Sequence, residues 1–124
     1  MGYRLGITRN DKCIFYGTKY YGYVGNDPVE MIKYGDSLSC KYLLKLNKLK
    51  YDTYFGYSSN FYCILKKNQL IRFIELYCLD LARNGYANED FNVHDEHSVI
   101  NELLKIRDDI MKDNRKNEYY IDWS

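Results

Sequence analysis

Long apolar runs are missing from this chain of 124 residues. The longest spans a few residues, so no segment reads as a bilayer-crossing helix. The opening MGYRLGITRN has no apolar stretch of the kind a secretory signal requires. Gly2 follows Met1, but the basic, strand-like continuation argues against myristoylation. Histidine occurs twice, proline once and alanine twice. Four cysteines stand at positions 13, 40, 63 and 78 without a Cys-x-x-Cys turn, which removes the commonest zinc signature. Cys63 and Cys78 lie in the apolar runs FYCIL and ELYCLDL, where a thiol is normally a small buried hydrophobe. Four free, reduced and mostly buried thiols are expected, and with them a cytoplasmic protein.

Catalytic signatures are equally scarce. The chain has no Gly-x-Ser-x-Gly elbow, no Cys close to a His in sequence, and no Gly-x-x-x-x-Gly-Lys-Ser/Thr loop to cradle a triphosphate. Gly22-Tyr-Val-Gly25 runs into a proline turn and supports no dinucleotide site. Histidine and acid come together only in His94-Asp-Glu-His97, where a metal or hydrolytic site could draw on His94 and His97 with Asp90, Asp95 or Glu96. That spacing lacks the helical-turn stacking of His-Glu-x-x-His. Acids entering a helix are favoured by its dipole in any case, and the helix-entry reading is preferred. No enzyme activity and no cofactor are expected.

What the chain has in quantity is tyrosine. There are fifteen, eleven of them in residues 1–75. A Tyr ring is broad and apolar with a polar tip, so a surface cluster reads as a contact surface. The charges divide along the same line: residues 1–75 carry twelve Lys/Arg against six Asp/Glu, and residues 76–124 carry six against eleven. The formal net charge of +1 thus conceals a basic, aromatic first part and an acidic second part.

A chain of this length can bury roughly two thirds of its unfolded surface, enough for one domain without staples. YRLGI at 3–7, the turn residues RNDK and CIFY at 13–16 predict a hairpin. KYYGYV at 19–24 predicts a further strand, with Gly17 and Gly22 at bends or bulges. Asp36 or Ser37 can cap a helix to about Asn47 whose apolar positions include Leu38, Tyr42, Leu43 and Leu46. A Tyr-rich loop is expected over 51–60, then a buried strand at FYCIL. The spacing of Leu70, Phe73, Ile74, Tyr77 and Leu81 predicts a helix over 67–84, closed by Asn84-Gly85. Val99, Leu103, Ile106 and Ile110 predict a last helix from Ser98 to about Asn114, and EYYIDWS a closing edge strand. The fold class is α+β: one domain over 1–124, with an antiparallel sheet of N-terminal strands packed against two or three amphipathic helices.

Two surfaces are candidates for function. The acidic residues Glu89, Asp90, Asp95, Glu96, Asp108, Asp109 and Asp113 could form a negative face that occupies a basic channel on another protein; Glu118 and Asp122 extend the set. Lys41, Lys45 and Lys48, which share one helical face, with Tyr20, Tyr21, Tyr23 and Tyr54, combine cations for phosphates with rings for bases and could hold a nucleotide.

The stretches Tyr16-Gly-Thr-Lys-Tyr-Tyr-Gly-Tyr-Val24, Ser39-Cys-Lys-Tyr-Leu43 and Phe73-Ile-Glu-Leu-Tyr77 with Asp80-Leu81 together resemble small accessory proteins of Gram-positive phages and prophages. A richness in Lys, Asn and Tyr, whose codons are AT-rich, agrees with an AT-rich bacterial or phage source. The resemblance implies a counter-defence role, either as an anti-CRISPR protein that binds an effector or as a sponge for a nucleotide signal, and it supplies no site residues. The expectation is a non-enzymatic inhibitor acting in the cytoplasm of an infected bacterium. Its partner would be a defence protein, such as a CRISPR nuclease, or that protein's nucleic-acid complex. Alternatives are an oligomeric sponge with a small nucleotide ligand, and a virion or assembly accessory protein.

Overall fold

A computed structural model describes residues 3–20, 38–48, 50–54, 57–84 and 96–123. Strand β1 (Tyr3–Arg9) and strand β2 (Lys12–Tyr20) form the expected hairpin. Their two-residue connection places Asn10 and Asp11 at φ 50° and 65°. Positive φ at both central residues matches the turn to the right-handed twist of the strands, and Asn and Asp tolerate it better than most residues. The register slips beside Gly17, where a bulge was expected. The remaining residues of the expected strand at 19–24 lie beyond β2 and outside the described residues.

Helix α1 (Leu38–Lys45) is followed by strands β3 (Lys50–Tyr54) and β4 (Tyr57–Leu65). These two strands pair as a hairpin with Tyr54 opposite Tyr57, so the segment expected as a loop is largely sheet. Tyr and Thr favour the pleated conformation, and here that preference outweighs the turn-like Asp, Ser and Asn beside them. Helix α2 (Lys67–Asn84) has the expected bounds, and helix α3 (Glu96–Lys112) begins slightly earlier than expected.

Strand β5 (Tyr119–Trp123) corrects a second expectation. It lies in the middle of the sheet, whose strand order is β2-β1-β5-β4-β3, and it pairs antiparallel with β1 and β4. Each hairpin leaves one inner strand with unpaired backbone groups, and β5 satisfies both at once. The sheet therefore combines the N-terminal strands with three later ones. Ile121 shows why the centre is stable. It faces Ile7 on one neighbour and Cys63 on the other, and all three are fully buried.

The core lies on one face of the sheet. Leu5, Ile7, Phe15, Cys63, Leu65, Tyr119 and Ile121 pack there against Leu70, Phe73, Ile74, Tyr77 and Leu81 of α2, Leu103 and Ile110 of α3, and Cys40 and Leu43 of α1. Helix α1 leans on α2 through a tertiary cap. Asp80 of α2 is buried and accepts from the Leu38 amide at 2.9 Å, the Ser39 amide at 3.0 Å and the Ser39 hydroxyl at 2.8 Å. The cap positions expected from sequence, Asp36 and Ser37, lie outside the described residues.

Candidate functional site

Alternation along the strands sets a second group of side chains on the face turned away from the helices. One row across four strands runs Tyr16, Gly6, Asp122, Tyr62, and Lys50 continues it on β3. The next row runs Cys13, Thr8, Tyr120, Ile64. Two of these residues expose a large apolar surface: Tyr16 at 57% and Ile64 at 46%. Tyr62 and Tyr120 are half-buried, and Cys13 is exposed.

Asp122 is the polar centre of this face. A Cβ at Gly6 would fall 2.7 Å from Asp122 Oδ1, so the carboxylate lies over the bare backbone of β1. A larger residue there would have to push the carboxylate aside. Burial raises the Asp122 carboxyl above its ordinary range, and no cation among the described side chains opposes that rise.

The acidic residues of α3 differ on this point. Asp108 receives two hydrogen bonds from Arg107, at 3.2 and 3.0 Å, and Asp109 lies 3.5 Å from Arg9. Asp113, with a side chain only 7% exposed, sits 3.4 Å from Arg9, accepts from the Arg115 amide and guanidinium at 3.0 and 3.2 Å, and accepts from Asn117 at 2.6 Å. Hydrogen bonds from Arg115 hold the Asp113 carboxyl below its ordinary range. The Asn10 side chain meets that of Asn117 and accepts from the Glu118 amide, so the cluster ties the β1–β2 turn to the approach to β5. Lys67 donates to the carbonyls of Met111 and Asp113 and closes the end of α3. Asp108, Asp109 and Asp113 thus each face an arginine. Glu89, Asp90 and Asp95 lie outside the described residues, as do His94 and the side chains of Glu96 and His97.

The described members of the nucleotide set lie on α1 and on two strand ends. Lys41, Lys45 and Lys48 are exposed on and just after α1. Tyr20 ends β2 and Tyr54 ends β3, on opposite edges of the five-stranded sheet. Tyr21 and Tyr23 lie outside the described residues.

Among the described residues no three His, Cys, Asp or Glu side chains gather to hold a metal ion. Cys40, Cys63 and Cys78 are buried and unbridged. Burial pushes the thiols of Cys63 and Cys78 up to about 11, so both stay protonated at neutral pH and neither is primed as a nucleophile. No described helix is long and apolar enough to cross a membrane.

The outer face escaped the sequence reading because it depends on the sheet order. Tyr16, Gly6, Asp122 and Tyr62 are separated by most of the chain and meet only because β5 enters the middle. The alternation in YYIDW was the available signal, since it puts Tyr120 and Asp122 on the face opposite Ile121. No protein-family model, curated protein or solved structure matches the chain.

Proposed function

We propose that this chain is a non-catalytic binding protein whose contact surface is the outer face of the sheet, and that its partner is a protein of a bacterial defence system. The observation that carries this reading is the association on one face of the sheet of Tyr16, Ile64, Tyr62 and Tyr120 around the Asp122 carboxylate. Aromatic side chains with a few polar groups among them are what protein interfaces use as anchors. A negative charge at the centre favours a basic protein over a phosphate backbone, which it would repel. The same charge complementarity suits occlusion of the nucleic-acid channel of an effector such as a CRISPR nuclease, and the resemblance to phage accessory proteins supports that choice of partner.

Native mass spectrometry of the chain purified from bacteria expressing such an effector tests the proposal. The expected spectrum contains a stoichiometric complex of chain and effector. Symmetric oligomers carrying an added mass of nucleotide size would instead support the sponge, with its site among the lysines and tyrosines of the N-terminal part.

A further inference from the structure

We propose that helix α1 and the turn after it form a basic ridge that lies along a nucleic-acid phosphate backbone, with Lys41, Lys45, Lys48 and Lys50 as the contacts. The ridge meets the outer face of the sheet only at Lys50, beside Tyr62, and the inference does not rest on the reading of that face. Residues 37–51 hold these four lysines and no acid. Helix α1 turns Ser39, Cys40 and Leu43 into the core, with Tyr42 and Leu46 packed beside them. That burial fixes the opposite face, where Lys41, Leu44 and Lys45 are exposed. Lys41 and Lys45 stand one turn apart, about 6 Å along the axis. The end of the helix brings in the other two. The Asn47 amide donates to the Leu44 carbonyl at 2.9 Å and the Lys48 amide to that of Leu43 at 3.4 Å, with Asn47 at φ 52°. This left-handed closure turns the chain from the helix towards β3. Burial raises the Cys63 thiol, and the charges of Lys48 and Lys50 oppose the rise, so both ammonium groups lie around the same stretch of β4. Both side chains are exposed.

Folding alone does not favour this arrangement. Like charges one turn apart repel, and Lys41 lies in the first turn of α1, where the helix dipole disfavours a cation. A polyanion relieves both. The lysines are strung along a helix and a turn rather than gathered around one point, which suits a row of phosphates better than a single nucleotide. Ammonium groups meet phosphates as point charges and read no bases, so the contact is independent of sequence.

The probe is a fluorescently labelled DNA duplex of about 20 base pairs, titrated with the chain and followed by anisotropy between about 50 and 200 mM salt. Affinity should fall with a log–log salt slope of about −3, as three or four neutralised phosphates require. Lys41→Gln/Lys45→Gln should bind at least about tenfold more weakly at the lower salt, with a slope shallower by about 2. Lys48→Gln/Lys50→Gln should behave in the same way. Lys12→Gln/Lys105→Gln, which removes equal charge from exposed positions on β2 and α3, should bind as the parent chain does. No binding by the parent chain at the lower salt, an unchanged slope in the ridge variants, or an equal loss in the β2–α3 pair would overturn the proposal. The outer-face reading fails separately. An effector complex that survives Tyr16→Asp/Ile64→Asp removes that reading and leaves the ridge standing.

Discussion

At the scale of single residues, two carboxylates of the same chain respond to opposite surroundings. Asp113 sits among Arg115, Arg9 and Asn117, and the ionised form is favoured. Asp122 sits on a tyrosine-lined face, and the ionised form is disfavoured. The lowered Asp113 carboxyl contributes stability that is present above the ordinary carboxylate range and lost as pH falls through its own, lower value. Asp113→Asn should therefore lower the melting temperature at pH 7, with the gap to the parent chain closing as the scan moves into acid. A gap independent of pH would show that the charge contributes nothing. The sign reverses for Asp122, whose ionisation works against folding as pH rises. Gly6 provides a packing test at the same site. Gly6→Ala should cost about 0.5–1.5 kcal/mol in chemical denaturation by forcing the carboxylate from its rotamer, and less in an Asp122→Ala background. Equal costs in both backgrounds would mean that the two positions are uncoupled.

At the scale of elements, legibility followed the locality of the signal. Helix α2 was readable to its ends because Leu70, Phe73, Ile74, Tyr77 and Leu81 repeat at helical spacing, and the β1–β2 hairpin because Asn10-Asp11 is a turn pair. The β3–β4 hairpin was hidden because Ser58, Ser59 and Asn60 look like loop residues until a partner strand holds them. Helix α1 shows a different limit, since its cap comes from Asp80, about forty residues downstream, and no local pattern announces it. The two amides that Asp80 accepts are among the donors a helix start leaves without intrahelical partners, and the negative charge also suits the helix dipole. Asp80→Ala should cost about 1–3 kcal/mol. Hydrogen exchange should accelerate through residues 38–48 ahead of the sheet. Uniform acceleration across the chain would show that α1 has no separate stability.

At the scale of the whole molecule, the decisive event is the insertion of β5 between two hairpins. It completes the core on one face, and on the other it gathers Tyr16, Gly6, Asp122 and Tyr62 from the beginning, end and middle of the chain. Sequence charge alone directed attention to the acids from Glu89 to Asp113. Folding pairs Asp108, Asp109 and Asp113 with arginines, and it sets a further carboxylate, Asp122, on the outer face of the sheet. The fold class was legible because alternation and helical spacing are local. The outer face was not, because strand order is set by which hairpin edge the last strand reaches. The proposed inhibition of a defence effector resides on this face. The most direct measurement is plasmid interference in bacteria carrying a CRISPR nuclease and expressing either the parent chain, Tyr16→Asp/Ile64→Asp, or Asp108→Lys/Asp109→Lys. The parent chain and the helix variant should protect, and the folded sheet-face variant should restore interference. Protection that survives the sheet-face changes, or a parent chain that gives none, would contradict it.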